Sequence, residues 1–201
     1  MTDRQIQIAQ EPDADAILSR DDFALLIAMT LDQQYPMEHA FRGPRKIADR
    51  MGSFDIHAIA NADTDEFIAL CSIPPAIHRF PKSMATRVQD IAQQIIAEYN
   101  GDTTAIWTRD NPTGKEVLKR LKALPGWGDQ KARIFLALIG KQLGVAPYGW
   151  RSAAGAYGEK DAHRSIADVV DGESLQAVRE FKKAEKAAAK SAAGKSATSA
   201  Q

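Results

Sequence analysis

Two stretches with helical hydrophobic spacing meet at Leu124-Pro125-Gly126-Trp127-Gly128, and this junction restricts the fold of the 201-residue chain more than any other feature. Leu118, Leu121 and Leu124 share one face of the first stretch, and Ile134, Phe135, Leu138, Ile139 and Leu143 share a face of the second. A turn this short makes the two helices antiparallel neighbours, so residues 113–143 read as a helical hairpin. Thr113 followed by Glu116 forms a capping box at its start, and Asp129 is the expected N-cap of the second helix. The glycines accept positive φ and let another backbone come close. Such a turn points backbone N–H groups at one spot beside a helix N-terminus, a seat for a phosphate that reads no base sequence. The competing reading of the same residues is a corner that only packs.

The rest of the chain also reads as helical. Residues 5–10 are expected as a short extended arm, with Ile6 and Ile8 alternating. Ser19 and Asp22 resemble a capping box that opens the run 23–31. That run is apolar on every side, which marks a buried central helix. Pro36 breaks it. Further helices are expected over 37–41, 44–51, 64–71 and 83–99, the third opened by Asp63 with Glu66. Residues 73–81 read as a loop. Beyond Gly144 lies a connector rich in Gly, Ala and Pro, reaching Gly158. A last helix is expected to start near Glu173 and to fade into Ala/Lys repeats that read as disordered from about Ala187. The expected division is an N-terminal arm over 1–20, a helical domain over 21–181 and a basic low-complexity tail over 182–201.

Hydrophobic residues make up 44% of the chain, enough for a real core, and the formal net charge is zero. That zero hides an asymmetry. Residues 182–201 hold Lys182, Lys183, Lys186, Lys190 and Lys195 against Glu185, a net +4, which leaves −4 for the remainder. A basic tail suits a polyanion. The single cysteine, Cys71, excludes an intrachain disulfide framework and reads as a small buried hydrophobe. His39, His57, His78 and His163 are scattered, with no spacing for a catalytic metal. No signal-peptide core stands at 1–5 and no apolar run spans a membrane, so a reducing, intracellular (cytoplasmic) compartment is expected, with no membrane partner; a monomer is expected.

The hairpin resembles that of the HhH-GPD superfamily of base-excision DNA glycosylases. That hairpin reads Leu-Pro-Gly-(Val/Ile)-Gly-x-x-x-Ala, and residues 124 to 132 match it, with Trp127 at the middle apolar position. The order of the other pieces fits as well. The apolar helix ends in Leu31-Asp32-Gln33-Gln34, similar to the superfamily's Leu-x-Gln-Gln. Residues 46–52, the acidic helix start at Asp63, a loop and the amphipathic stretch 84–96 follow in turn, a co-linear match over residues 21 to 145. The resemblance implies an all-α, two-lobed fold with the hairpin at the lip of a cleft. It implies double-stranded DNA as the partner and base excision as the activity: a damaged or mismatched base flipped into a pocket, and its glycosidic bond hydrolysed. Gly126 and Gly128 would hold a phosphate, directly or through a monovalent cation. Some relatives carry an iron–sulfur cluster; a chain with one cysteine cannot, since such clusters need about four thiolates.

The resemblance also locates the chemistry. Where lyase members carry a Schiff-base lysine, this chain has Gln130, so hydrolysis without lyase activity is expected. Lys131, next along, should point about 100° away on the helix, as a phosphate contact or a solvated lysine. The superfamily's catalytic aspartate falls on Tyr148-Gly149-Trp150, and no Asp or Glu occurs between Asp129 and Glu159. Three readings stand. In the first, Asp32, at the end of the central helix, supplies the carboxylate. In the second, the connector returns Glu159 or Asp161 to the pocket. In the third, the protein binds or senses DNA without excising a base. Outside these, a helical scaffold for protein contacts is the remaining class. Gln34 matches the glutamine that enters the duplex near the vacated base, or is a surface amide. Tyr148 and Trp150 either stack on a base or plug the core. His78 and Arg79 either contact a phosphate or lie in a solvated loop.

Overall fold

The computed structural model describes residues 5–198, with side chains through residue 188, and every regular element among them is helical. In chain order they are α1 (Pro12–Arg20), α2 (Asp22–Leu31), α3 (Met37–Phe41), α4 (Gly43–Met51), α5 (Ile56–Asn61), α6 (Thr64–Ser72), α7 (Pro81–Tyr99), α8 (Ala105–Thr108), α9 (Gly114–Lys122), α10 (Asp129–Gln142), α11 (Trp150–Ala154) and α12 (Gly172–Thr198). Two 3-10 turns, Gly155–Gly158 and Ile166–Asp168, lie between α11 and α12.

Helix α2 is the axis, as its all-round apolar sequence requires. Every residue from 23 to 31 is buried. It touches α1, α3 and α4, and also α7 and α10, so it joins two helical groups: α5 and α6 on α7, and α9 and α11 on α10. Its start differs from the expected capping box. Asp21, held extended at φ −127 and ψ 111, accepts from the Ala24 N–H at 3.0 Å. Ser19 lies inside α1, where its hydroxyl donates to the Asp15 carbonyl and accepts from the Ile6 N–H at 2.9 Å. That bond ties down the expected arm. Ile6 and Ile8 are buried, and α1 packs on α2 and α4, so residues 5–20 belong to the body. Residues 1–4 lie outside the described part.

The hairpin forms as expected, and its far end is bolted to α2. Trp127 is buried edge-on to Phe135, with ring centroids 5.3 Å apart. Its indole N–H donates to the Thr30 hydroxyl at 3.1 Å, and that hydroxyl donates to the Leu26 carbonyl at 2.9 Å. A buried hydroxyl and a buried indole N–H thus satisfy each other.

Beyond Gly144 the expected open connector is instead built structure. Trp150 begins α11 and is buried against α10: a Cβ at Gly140 would sit 2.6 Å from its ring, and one at Gly114 would collide with its backbone. Glycine at 114 and 140 is what lets α11 nest. The following turn is closed by the Ser165–Asp168 capping box and by Lys141, whose ammonium lies 2.5 Å from the nearly buried Asp168 carboxylate. Helices α1, α5 and α8 were not expected; α5 and α8 are too short for a periodicity to show. Gln89, buried in α7, serves α5 by donating to the carbonyls of Ile59 and Ala62 at its C-terminal end. Cys71 is buried, and burial pushes its thiol up to about 12.

The last helix is anchored by Leu175 and Val178, both buried, and every residue from 182 to 188 is exposed. Its backbone continues through the Lys/Ala-rich stretch to Thr198, while residues 199–201 lie outside the described part.

The indole bond makes a definite energetic demand. Trp127→Phe should lower unfolding free energy in urea by about 1–2 kcal/mol, for a lost hydrogen bond within a largely kept ring. Trp127→Ala should cost about 3–5 kcal/mol.

Candidate functional site

The turn between α9 and α10 is set locally. Thr113 accepts from the Glu116 N–H at 3.3 Å and starts α9. The Trp127 N–H closes the turn on the Leu124 carbonyl at 3.1 Å, with Gly126 between them at φ +74. The N-cap of α10 is Gly128, not Asp129. Asp129 is the first helical residue, and its carboxylate is claimed by Lys122 at 2.9 Å and Arg133 at 2.5 Å. Hydrogen bonds from Arg133, then Lys122, hold its carboxyl below the ordinary value. No side chain caps α10, whose first amides lie at the positive end of the helix dipole.

The two glycines differ. At Gly126 a Cβ would collide with the Arg87 guanidinium, and the positive φ is unfavourable to other residues. At Gly128 the backbone is ordinary, φ −88 and ψ 175, and a Cβ would meet nothing within 4 Å. Folding does not require glycine there. The open space in front of it is room for a molecule to approach the backbone.

Beside the turn is a cavity of about 430 Å³ whose wall includes Asp32, Gln33, Gln34, Gln130, Lys131 and Tyr157. Asp32 caps the end of α2, its N–H bonded to the Ala28 carbonyl at 3.1 Å, and belongs to the cavity wall. Burial raises the affinity of this carboxyl for a proton, and the charges of Lys182 and Lys131 work against that. Lys131 is not turned away from the cavity. Its long stem bends to the C-terminal end of α2, where the ammonium donates to the Thr30 carbonyl at 2.7 Å, a group left without an intrahelical partner. Burial lowers its pKa to about 8; Asp32 opposes this and Arg87 reinforces it. Gln130 donates to the Tyr157 hydroxyl at 3.0 Å.

Gln33 and Gln34 form the rim. Gln34 is exposed at φ +54. The Gln33 amide oxygen accepts from Arg87 at 3.1 Å, which links the rim to the residue under Gly126. The Gln33 carbonyl accepts from His78 Nε2 at 3.0 Å, and His78 Nδ1 accepts from the Phe80 N–H at 3.0 Å. His78 is 1% exposed and packs against the Tyr35 ring, so the solvated-loop reading fails for it. It is a latch from the loop to the rim.

Other expectations are decided by position. Trp150 plugs the core, whereas Tyr148 is 89% exposed. Glu159 pairs with Arg164 at 3.5 Å, and neither Glu159 nor Asp161 is in the cavity wall. The acidic residues of that wall are Asp32 and Glu185. Arg87, Tyr157 and the inward role of His78 were missed. They meet the site only through tertiary packing, and Tyr157 lies in the stretch read as connector. Among the described residues no cluster of three or more acidic, histidine or cysteine side chains suits a metal ion, and no helix is long and apolar enough to cross a membrane.

The structure thus sets a helical hairpin, its turn exposed at Gly126 and Gly128, beside a polar cavity at the end of a buried helix. The profile of the HhH-GPD superfamily base excision DNA repair proteins matches residues 27–196, and the chain belongs to that superfamily. No curated protein and no solved structure matches the chain.

The imidazole latch is sensitive to pH. Burial, aided by the charges of Arg79, Lys131 and Arg87, lowers the pKa of His78 despite its bond to Gln33. The folded state therefore holds that proton less tightly than the unfolded chain. Its stabilisation is complete above about pH 6.5 and is lost as pH falls below that value. The melting temperature of His78→Gln should lie below wild type at pH 7.5, with the gap narrowing toward pH 5.

Proposed function

We propose that the protein is a monofunctional DNA glycosylase in which Asp32 supplies the carboxylate of base release. The observation that carries this reading is that Asp32 and Gln34, from the end of α2, and Gln130 and Lys131, from the start of α10, line one cavity next to the hairpin. The hairpin amides, with Gly128 kept open, take a phosphate of duplex DNA, directly or through a monovalent cation. A flipped nucleotide enters the cavity, and Gln34 fills toward the space it leaves. As the glycosidic bond breaks, positive charge grows on the sugar. The half-buried Asp32 carboxylate stabilises that charge or takes the proton of the attacking water. Gln130 places an amide where lyase members place an amine, and the Lys131 ammonium is occupied by the Thr30 carbonyl. Borohydride should therefore trap no covalent adduct with abasic DNA.

Base release from a panel of lesion-bearing duplexes tests the assignment. Asp32→Asn should lower single-turnover release by about 10²–10⁴-fold and leave affinity for an abasic-analogue duplex intact. The acid limb of the rate profile should sit above the ordinary aspartate range, because the carboxyl must be ionised and burial raises its pKa. An alkaline limb near 8, where Lys131 loses its charge, should disappear in Lys131→Gln. Gly128→Ala should fold with unchanged stability yet bind duplex more weakly. Salt-dependent binding to the abasic duplex, with no base released by wild type from any lesion, would leave a lesion sensor. The tryptophan core at the position the resemblance gives to an aspartate favours that second reading. A chain without salt-dependent DNA affinity would be neither, and the scaffold class would remain.

A further inference from the structure

We infer that α12 from Lys182 onward is a phosphate clamp that lies along the DNA backbone flanking the cavity. This rests on the DNA reading of the cavity given above. The helix is fixed where it matters. Leu175 and Val178 are buried, Arg179 pairs with Glu38, and the Phe181 ring takes the Arg164 guanidinium at 5.0 Å. Arg164, Lys182 and Glu185 all belong to the cavity wall, so the helix leaves the body at the cavity mouth. From there it continues with every residue through 188 exposed.

The exposed stretch has one-sided chemistry. At 100° per residue, Lys182, Lys183 and Lys186 fall within an arc of about 100°, and the register of Lys190 falls in the same arc. The register of Lys195 falls on the opposite side. The apolar residues from 182 to 198 are all alanine. A helix that docks in a protein groove needs large apolar anchors at i, i+3 or i+4, and one that lies on a membrane needs Trp, Phe or Leu. This stretch has neither, only a basic edge on a strong helix former. Its charge complements a duplex where the body's does not. Residues 182–201 carry +4, and the remainder carries −4. A body of that sign repels DNA at long range, and the last helix supplies the attraction at the point where a flipped nucleotide would enter.

The test uses the full chain and an abasic-analogue duplex over a salt series. Each phosphate contact contributes about 0.9 to the slope of log affinity against log salt. The triple variant Lys183→Gln/Lys186→Gln/Lys190→Gln leaves Lys182, in the cavity wall, in place; Lys183 and Lys186 are exposed. Lysine to glutamine keeps helix propensity, so the variant should retain the wild-type melting temperature, lose about 2 to 3 from the slope, and bind at least tenfold more weakly at low salt. Lys195→Gln should change the slope by less than half of one contact. An unchanged slope in the triple variant overturns the clamp. So does a Lys195→Gln effect equal to the per-lysine effect of the triple variant, because the tail would then act as diffuse charge. In either case weaker binding by Gly128→Ala would show that the DNA reading itself still holds. If the wild-type chain shows no salt-dependent binding, that reading falls, and the clamp with it.

Discussion

The carbonyl end of α2 is the joint on which the molecule depends. A helix buried on all sides must still satisfy its last carbonyls and any hydroxyl it carries inward, because an unmatched buried polar group costs about 1–3 kcal/mol. Here the hairpin meets both demands. Trp127 donates to the Thr30 hydroxyl and Lys131 to the Thr30 carbonyl. Two residues of the turn and first helical turn of one helical group are thereby fixed to a single residue of the buried axis. The same contact sets the distance between the first amides of α10 and the carboxyl of Asp32, which follows Thr30 by two positions. The packing of the hairpin and the shape of the cavity share one pair of hydrogen bonds.

The second layer is held from the other direction. Arg87, in α7, reaches the Gln33 amide and lies under Gly126, so the rim and the turn rest on one guanidinium. His78 holds the Gln33 carbonyl. The segment after α2 is short and irregular, with a positive φ at Gln34. Such a segment keeps one conformation only when its surroundings dictate it. The imidazole, the guanidinium and the Tyr35 ring provide that constraint.

What could be read in the sequence follows the range of each interaction. The hairpin, the capping residues Thr113 and Asp63 and the apolar run of α2 rest on neighbours a few positions apart, and all appear as expected. The direction of Lys131 could not be read that way. Helical spacing gives where a Cβ points, but a four-carbon stem bends to whichever carbonyl the neighbouring helix offers. The pairing of Arg87 with Gln33 spans 54 positions, and nothing local announces it. The stretch around Trp150 was misread because glycine, alanine and proline suggest open chain. Here the glycines at 114 and 140 are spaces made for the indole and backbone of α11.

That nest has a consequence for how the cavity can be altered. Trp150 is held by glycines on two other helices, so its position is part of the core and does not face the cavity. A carboxylate substituted there would enter apolar surroundings and leave a void where the ring had been. The acidic residues of the cavity wall come only from the end of α2, at Asp32, and from the last helix, at Glu185. The charge of the cavity is therefore open to change at residues 32–34 and 182–185, whereas the buried Trp150, Ala153 and Ala154 are fixed framework.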